Sequence, residues 1–350
     1  GGEDKVAQQA ARLLAEYMRA SGGPAAAAAG EGDDAPLPTS PGAVTPAVTA
    51  VTGEASGGGA AELWKSTVED VLLPHALGHT SPGVRAAALA CLPSLTSAGI
   101  SGLTAPSRAA LVTAAVRAAA GGDPAPPARA AACKAVGALV SLPPVCCSRD
   151  DLAEAARALL KGMEDEAQVV RIAAVWGAAN LCDVLRAAAE GAEGAGALAG
   201  QETVRALAEG SVAATKDSDK VRANAVRALG NLAWLVPGDE AGGGWVSGAV
   251  EALLSSLRGG GAKVQWNACY ALASFMRAPA AAQHPVLRAQ VPAVLSDLCA
   301  LLVGSGNFKI RTHAAGALRA PPTRAVYGAA WGGVVAAVAA ALQGVDGDST

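Results

Sequence analysis

The chain has 350 residues, enough for one large domain or two ordinary ones. Acidic residues outnumber basic residues, 30 to 27, so the net charge of −3 gives no bulk electrostatic basis for binding nucleic acid. Gly and Ala are abundant and aromatic residues make up only 3 % of the chain, a composition that favours closely packed helices. The chain opens with Gly1-Gly2-Glu3 rather than Met, which indicates a fragment or a processed chain.

Four segments follow one another along the chain. Residues 1–20 have the spacing of an isolated helix or of the end of a preceding repeat. Residues 21–60 are rich in Pro, Gly, Ser and Ala without a helical period, which predicts a disordered linker. From residue 61 to residue 343, helical segments alternate with Gly and Pro breaks, and we expect residues 344–350 to form a tail.

The segment 61–343 contains one pattern six times. In each copy an anchor residue, usually Arg, is preceded by Val, Ala or Ile and followed three residues later by Ala. Successive anchors are 44, 42, 51, 43 and 46 residues apart. Repeats of this length with paired helices are typical of HEAT and armadillo solenoids, so we predict an all-α, right-handed α-α superhelix of about six helix pairs. The anchors are Arg85, Arg129, Arg171, Arg222, Gln265 and Arg311.

An Asp stands six residues before two of the anchors. Asp123 precedes Arg129, and Asp165 precedes Arg171, whereas Lys216 holds this position in the fourth repeat. We expect each Asp to cap the second helix of its repeat and to pair with an Arg of its own or a neighbouring repeat. The anchor arginines are therefore predicted to be structural.

Polar and aromatic residues fall two, five and nine positions after the later anchors. On a helix these positions lie opposite the core, so they predict one stripe along neighbouring second helices, which line the concave face of solenoids. A carboxamide offers a donor and an acceptor to the backbone of an extended partner segment, and we expect the aromatic residues and the Arg to be anchors. The stripe residues are Trp176, Asn180, Asn224, Arg227, Asn231, Asn267, Tyr270 and Ser274.

A structural role for the stripe is the alternative. Asn180 and Asn231 would then bond nearby backbone groups at the ends of their own helices. Trp176 and Tyr270 would pack against the next repeat. The sequence leaves both interpretations open.

The stripe resembles the Trp-x-x-x-Asn pattern of armadillo repeats. That resemblance implies an Asn ladder that hydrogen-bonds the backbone of an extended peptide, with aromatic rings flanking the peptide side chains. Three pairs in the stripe keep the interval: Trp176 with Asn180, Arg227 with Asn231, and Tyr270 with Ser274.

Three longer stretches resemble the C-terminal half of the HEAT repeat-containing protein 6 family. They are "KVRANAVRALGNLAWL", "KVQWNACYALASFMRAPA" and "NFKIRTHAAGALRAPPTRAVYG". The resemblance covers roughly residues 165–330 and implies an armadillo-like interaction protein without an assigned reaction. This chain departs from the family at the Gln265 anchor, in its Ala-rich first repeats and in its Gly-rich insertions.

The cysteines and the apolar segments bear on location. No Cys-x-x-Cys pair occurs, and most cysteines fall at apolar helical positions, so we expect reduced thiols and a cytoplasmic or nuclear protein. No signal peptide is visible, and the most apolar stretch, residues 328–342, is shorter than the roughly 20 residues that a membrane span needs. We therefore expect no membrane span. The cysteines are Cys91, Cys133, Cys146, Cys147, Cys182, Cys269 and Cys299.

Three classes of function remain to be weighed. A non-enzymatic scaffold that holds an extended segment of a protein or peptide partner in its concave groove is favoured, without nucleic acid as a partner. A karyopherin-like transport receptor or adaptor is the alternative, for which a dense row of Asp and Glu on the inner helices would be expected. A di-iron enzyme on HEAT repeats would need His-Glu dipeptides, and none of the four His is followed by Glu. His75 and His79 could share a metal, but no third ligand is nearby, so we expect no metal, cofactor or catalytic residue.

Overall fold

The protein is helical, and the part of the chain that the structure describes contains no strand. It divides into two compact units, Gly1–Gly177 (unit 1) and Ala178–Thr350 (unit 2). The boundary between them lies inside one long helix, Gln168–Glu190. The computed structural model describes residues 57–142, 148–190, 198–238 and 244–347, and part of 5–18.

Capping residues and prolines set the starts of the unit 1 helices. Thr104 and Ser148 each accept a backbone N–H three residues later through the side-chain hydroxyl. Proline opens the second helices of the first two repeats, where its fixed φ suits the first helical turn. The helices are α1 (Gly57–Ser66, continued by a π-helix over Thr67–Ala76), α2 (Pro82–Cys91), α3 (Ser97–Gly102), α4 (Ala105–Arg117), α5 (Pro126–Leu139), α6 (Arg149–Met163) and the first part of α7 (Gln168–Glu190).

Unit 2 begins within α7 and continues the same alternation of first and second helices. Leu253 and Leu257 of the fifth first helix and Phe275 of the fifth second helix are fully buried in its core. A short extra helix precedes the sixth repeat. The helices are α8 (Gln201–Ala214), α9 (Asp219–Leu232), α10 (Val246–Gly259), α11 (Ala262–Arg277), α12 (Pro279–Gln283), α13 (Pro285–Gly304), α14 (Phe308–Leu318), α15 (Arg324–Tyr327) and α16 (Trp331–Gly347).

The predicted helix pairs are confirmed. The six anchors lie, in order, in α2, α5, α7, α9, α11 and α14, which are the second helices of their repeats. The first helices of the six pairs are α1, α4, α6, α8, α10 and α13, and α16 follows the last pair. The fold is therefore the all-α HEAT/armadillo-like repeat.

The predicted segment boundaries stay predictions. The proposed linker, 21–60, falls outside the described residues as far as residue 56, and α1 already begins at Gly57. The described residues of 5–18 are helical, and Met18 is buried, its sulfur accepting a hydrogen bond from Thr67 Oγ1 at 3.7 Å. In the predicted tail, α16 extends to Gly347, and 348–350 lie outside the described residues.

Anchor arginines in unit 1 pair with the Asp of the next repeat. Arg85 Nε donates to Asp123 Oδ2, and Arg129 Nε donates to Asp165 Oδ2, both at 2.6 Å. The other oxygen of each Asp accepts the backbone N–H two residues later, at the start of a second helix. The guanidinium beside each carboxylate favours its charged form and holds the pKa of Asp123 and Asp165 below the ordinary value. The predicted structural role of these pairs is confirmed.

Anchor residues in unit 2 donate to backbone carbonyls. Arg222 Nε donates to Thr215 O at 2.7 Å, and its Nη1 donates at 3.5 Å to the carbonyl of Gly259, which holds the Asp position of the fifth repeat. Lys216 holds that position in the fourth repeat. Gln265, the anchor of the fifth repeat, donates through Nε2 to Leu257 O at 3.0 Å. Arg222 and Gln265 therefore each tie a second helix to the preceding first helix through a backbone carbonyl.

Neighbouring second helices approach closely at small residues. A Cβ added to Gly137 of α5 would lie 2.4 Å from Gly177 Cα, and one added to Gly230 of α9 would lie 2.7 Å from Ala271 Cα. Real Cβ atoms do not reach such distances, so these positions exclude any side chain larger than that of Gly. The contacts fix how far α5 is from α7 and how far α9 is from α11.

Three helices are long and apolar enough to cross a membrane, by length and composition alone and among the described residues. They are Gln168–Glu190, Pro285–Gly304 and the combined stretch Arg324–Gln343, whose apolar windows are 50 %, 33 % and 11 % buried. The last contains the stretch 328–342 that the sequence analysis judged too short. The absence of a membrane span therefore stays a prediction.

Replacing Asp165 with Asn should destabilise unit 1 by roughly 1–2 kcal/mol at neutral pH, because a charge-assisted pair with Arg129 becomes neutral. The folded-state pKa of Asp165 is lowered, so its contribution is complete above the unfolded-state pKa of about 4 and is lost as pH falls through the folded value. Urea unfolding followed by circular dichroism should show the wild-type advantage shrinking in acid. The exposed Glu154→Gln control should change little, and an advantage that persists at about pH 2 would contradict this explanation.

Gly230→Ala should lower the free energy of unfolding by roughly 1–3 kcal/mol, because the new methyl group would overlap Ala271. Gly316→Ala in α14 is the matched control, since a Cβ there meets nothing within 4 Å. That control should stabilise the protein by up to about 1 kcal/mol through the helix propensity of Ala. Thermal unfolding of both variants should give shifts of opposite sign, and a stabilised Gly230→Ala would show that the helices are farther apart.

Candidate functional site

The eight stripe residues divide between the two units. Trp176 is the one member in unit 1, where its half-buried ring lies beside Gly137 of α5; a Cβ on that glycine would be 3.2 Å from the ring. The members in unit 2 are Asn180, Asn224, Arg227, Asn231, Asn267, Tyr270 and Ser274.

Arg227 of α9 forms a polar cluster with the unit 2 part of α7. Its Nη2 donates to Asn180 Oδ1 at 2.8 Å and forms an ion pair with Asp183 Oδ2. Asn231 Nδ2 donates to the other oxygen of Asp183 at 2.5 Å. The Arg227 side chain is 19 % exposed and the Asp183 side chain 36 % exposed, so water screens the pair and its main effect is to fix position.

The cluster joins neighbouring second helices through side chains. The alternative role predicted for Asn180 and Asn231 was bonding to backbone groups of their own helices, whereas these bonds join side chains on neighbouring helices. Asp183 was not predicted, although it stands three residues after Asn180 and therefore one helical turn further along the same face. The i, i+3 spacing from Asn180 is the feature of the sequence that could have identified Asp183.

Burial corrects the predicted orientation of three stripe residues. Asn231, Asn267 and Ser274 are 1 %, 3 % and 1 % exposed, although their positions were expected to face away from the core. Asn267 Nδ2 donates to Ala223 O of α9 at 2.8 Å, and Ser274 Oγ donates to Tyr270 O at 3.2 Å. The close approach of the second helices buries positions that a single helix would expose.

Asn224 and Tyr270 are the more accessible members in α9 and α11. Both are half-buried, and the side chain of Asn224 makes no hydrogen bond to any residue that the structure describes. Asn224 lies four residues after Lys220 and three before Arg227, so the three share one face of α9. A carboxamide so placed can offer its donor and its acceptor to another molecule.

An aromatic cluster on α11 and α14 was not predicted as a site. The ring centroids of Trp266 and His313 are 6.2 Å apart, and Lys309 Nζ lies 5.3 Å from the Trp266 centroid. Burial and the nearby Lys309 lower the pKa of His313, which favours its neutral form. Trp266 and Tyr270 are four residues apart and share one helical face. Trp266 was not predicted because it does not stand two, five or nine positions after the anchor Gln265.

Three observations on the described residues concern metal binding and thiol reactivity. No three His, Cys, Asp or Glu side chains there come together in a way that could hold a metal ion. His79 Nδ1 accepts the backbone N–H of Ser81 at 2.9 Å, so one nitrogen of the predicted His75–His79 pair is already engaged. Burial raises the pKa of Cys133 and Cys269 to about 12, which disfavours their thiolates.

Comparison with sequences gives limited information. No protein-family model matches the chain. A putative uncharacterized protein of Dictyostelium discoideum is 35 % identical over 105 residues, which is 30 % of this chain. The chain covers 7 % of the length of that relative.

Comparison with solved structures shows the fold. A designed armadillo repeat protein in complex with the peptide (KR)4 aligns over 70 % of this chain and 95 % of its own, with a TM-score of 0.50 and 19 % identity. Kap95p, described by its binding to RanGDP, aligns over 73 % of this chain and 31 % of its own, with a TM-score of 0.53 and 15 % identity. Kap121p aligns over 74 % and 25 %, with a TM-score of 0.50 and 17 % identity. The HEAT/armadillo assignment is confirmed, and the HEAT repeat-containing protein 6 family stays a prediction.

Proposed function

We propose that the protein is a non-enzymatic scaffold whose unit 2 binds an extended segment of a partner protein along the second helices α9, α11 and α14. The observation that carries the proposal is Asn224, a half-buried carboxamide whose side chain has no hydrogen-bond partner among the described residues. An extended segment has backbone N–H and C=O groups that lack partners, and one carboxamide can satisfy one of each.

Aromatic side chains on α11 supply the apolar part of the proposed surface. Tyr270 and Trp266 are both half-buried and share one face of the helix. Such rings bury a large area at a small cost in side-chain entropy, which is why they recur at the centres of interfaces. We expect a partner side chain to pack between them.

The predicted stripe residues then divide into two roles. Asn231, Asn267 and Ser274 are buried and hold neighbouring second helices together, so contact with a partner would require them to become accessible. Arg227 and Asn180 are half-buried, and we place them at the edge of the surface. Trp176 belongs to unit 1, and its contact with a partner stays a separate prediction.

Two of the similar solved proteins bind a peptide or a protein, which supports the proposal. The designed armadillo repeat protein is in complex with a peptide, and Kap95p binds RanGDP. Helical repeats of this type thus serve as binding surfaces in proteins of the same fold. Our proposal includes a cytoplasmic or nuclear location, as the sequence predicts.

No observation favours the transport-receptor alternative. That alternative expects a dense row of acidic residues on the inner helices, yet α11 and α14 contain no Asp or Glu. The nearby carboxylate of Asp183 is already paired with Arg227. The surface as described is unsuited to a strongly basic signal.

The test starts from peptides selected against the whole chain by display of a random library. Asn224→Ala should weaken the selected peptides by roughly five- to thirtyfold, because it leaves a peptide backbone group unpaired. The matched control is Gln201→Ala, an exposed carboxamide on the first helix α8. Titrations by fluorescence polarisation should show no change in the control.

Two outcomes would contradict the proposal. Equal binding by wild type and Asn224→Ala would remove Asn224 from the site, and equal weakening by the control would place binding elsewhere. Arg227→Glu is a poor probe here, because it would set two carboxylates side by side with Asp183 and disturb α7 and α9. Circular dichroism of both variants should match the wild type.

A further inference from the structure

A lysine occupies the second residue of the second helix in each of the last three repeats. The helices α9, α11 and α14 begin at Asp219, Ala262 and Phe308, and each first residue is followed by a Lys. Lys220 and Lys309 are exposed, and Lys263 is half-buried. At the same position unit 1 has Gly83, Pro127 and Val169. We call Lys220, Lys263 and Lys309 the lysine row.

The helix dipole does not favour the lysine row. The N-terminal turn of a helix carries partial positive charge, so a cation there is unfavourable and an acidic residue is favourable. The first turns of α11 and α14 contain no acidic residue. In α9 the carboxylate of Asp219 accepts the Gly261 N–H at 3.1 Å and lies 3.6 Å from Arg222. The second helices of three consecutive repeats thus carry a cation in the first turn, where the helix dipole disfavours positive charge.

The row lies along the proposed binding surface. Each Lys is four residues before the stripe position that holds Asn224, Asn267 or His313, so it shares that face of its helix. Lys309 reaches from α14 to the Trp266 ring on α11, with its Nζ 5.3 Å from the ring centroid. The row, the aromatic cluster and Asn224 are therefore parts of one surface in unit 2.

Acidic residues are scarce on the second helices α9, α11 and α14. Neither α11 nor α14 contains an Asp or Glu, and the one acid of α9 is bonded as described. Acidic side chains instead lie on the first helices α8, α10 and α13, as Glu202, Glu209, Glu251 and Asp297. The helices α9, α11 and α14 thus carry more basic than acidic residues, although the whole chain is slightly acidic.

We infer that this face binds an acidic extended segment of a partner protein, with the lysine row pairing successive Asp or Glu side chains. The inference rests on the proposed function and specifies its partner. Packed helices are about 8–10 Å apart, and three residues of an extended polyproline-type segment span about 9 Å and return to one face. The fitting segment therefore has an acidic residue at every third position.

The experiment uses the full chain and fluorescent synthetic peptides. One peptide has Glu at every third position, a second has the same composition with its Glu residues clustered, and a third has Lys in place of Glu. We expect the periodic Glu peptide to bind best, and the Lys peptide not to bind. Lys220→Glu, Lys263→Glu and Lys309→Glu combined should weaken the periodic peptide by roughly tenfold or more, with a smaller salt dependence.

The matched control reverses three lysines in unit 1. Combining Lys65→Glu, Lys134→Glu and Lys161→Glu makes the same change in net charge with a similar set of exposures. It should leave the affinity within about twofold, since the proposed surface belongs to unit 2 and none of these three lysines does. The lysine-row variant should also keep or slightly raise its melting temperature, because Glu suits the helix N-terminus.

The remaining outcomes separate this inference from the proposed function. Equal weakening by the unit 1 control, or equal binding of the Lys peptide, would overturn it. Tighter binding of a single-stranded oligonucleotide than of the periodic Glu peptide would overturn it in favour of a phosphate ligand. If library peptides bind through Asn224 while acidic peptides do not, the inference fails and the proposed function stands. If neither class needs the second-helix face, both fail.

Discussion

The close approach of neighbouring second helices is the constraint on which the rest of the structure depends. Gly137 against Gly177 in unit 1, and Gly230 against Ala271 in unit 2, leave no room for a larger side chain. At this distance the carboxamide of Asn267 reaches a backbone carbonyl of the preceding second helix. Arg227 and Asn231 likewise reach Asp183. Polar residues thus fix the register that the small residues permit.

The same constraint separates residues that build the surface from residues that can meet a partner. Asn231 and Asn267 are buried and donate hydrogen bonds between neighbouring second helices, whereas Asn224 and the rings of Trp266 and Tyr270 are half-buried. The lysine row adds positive charge to the same face, where the helix termini gain nothing from it. Under our proposal, these residues together recognise the backbone and the charge pattern of an extended segment.

The fold was predictable because the repeat spacing and the anchor position are visible in one sequence. The Asp–Arg pairs of unit 1 followed from the same alignment. Exposure along the stripe was not predictable, because the phase of a single helix says nothing about how closely its neighbour approaches. Asp183 and Trp266 were not predicted as site residues because they do not stand at the positions counted from the anchor. Helical spacing nevertheless relates each of them to a stripe residue.

The most direct test of the account is site-specific photo-cross-linking from the second-helix face of unit 2. A photoreactive phenylalanine analogue would replace Tyr270 in the whole chain, and Glu209 on the first helix α8 as the control. Each protein would be irradiated with the tightest peptide from the selected library, and the products mapped by mass spectrometry. The account predicts a cross-link to the peptide from position 270 and none from position 209. Efficient cross-linking from position 209 alone would contradict it, because the partner would then lie on the first helices.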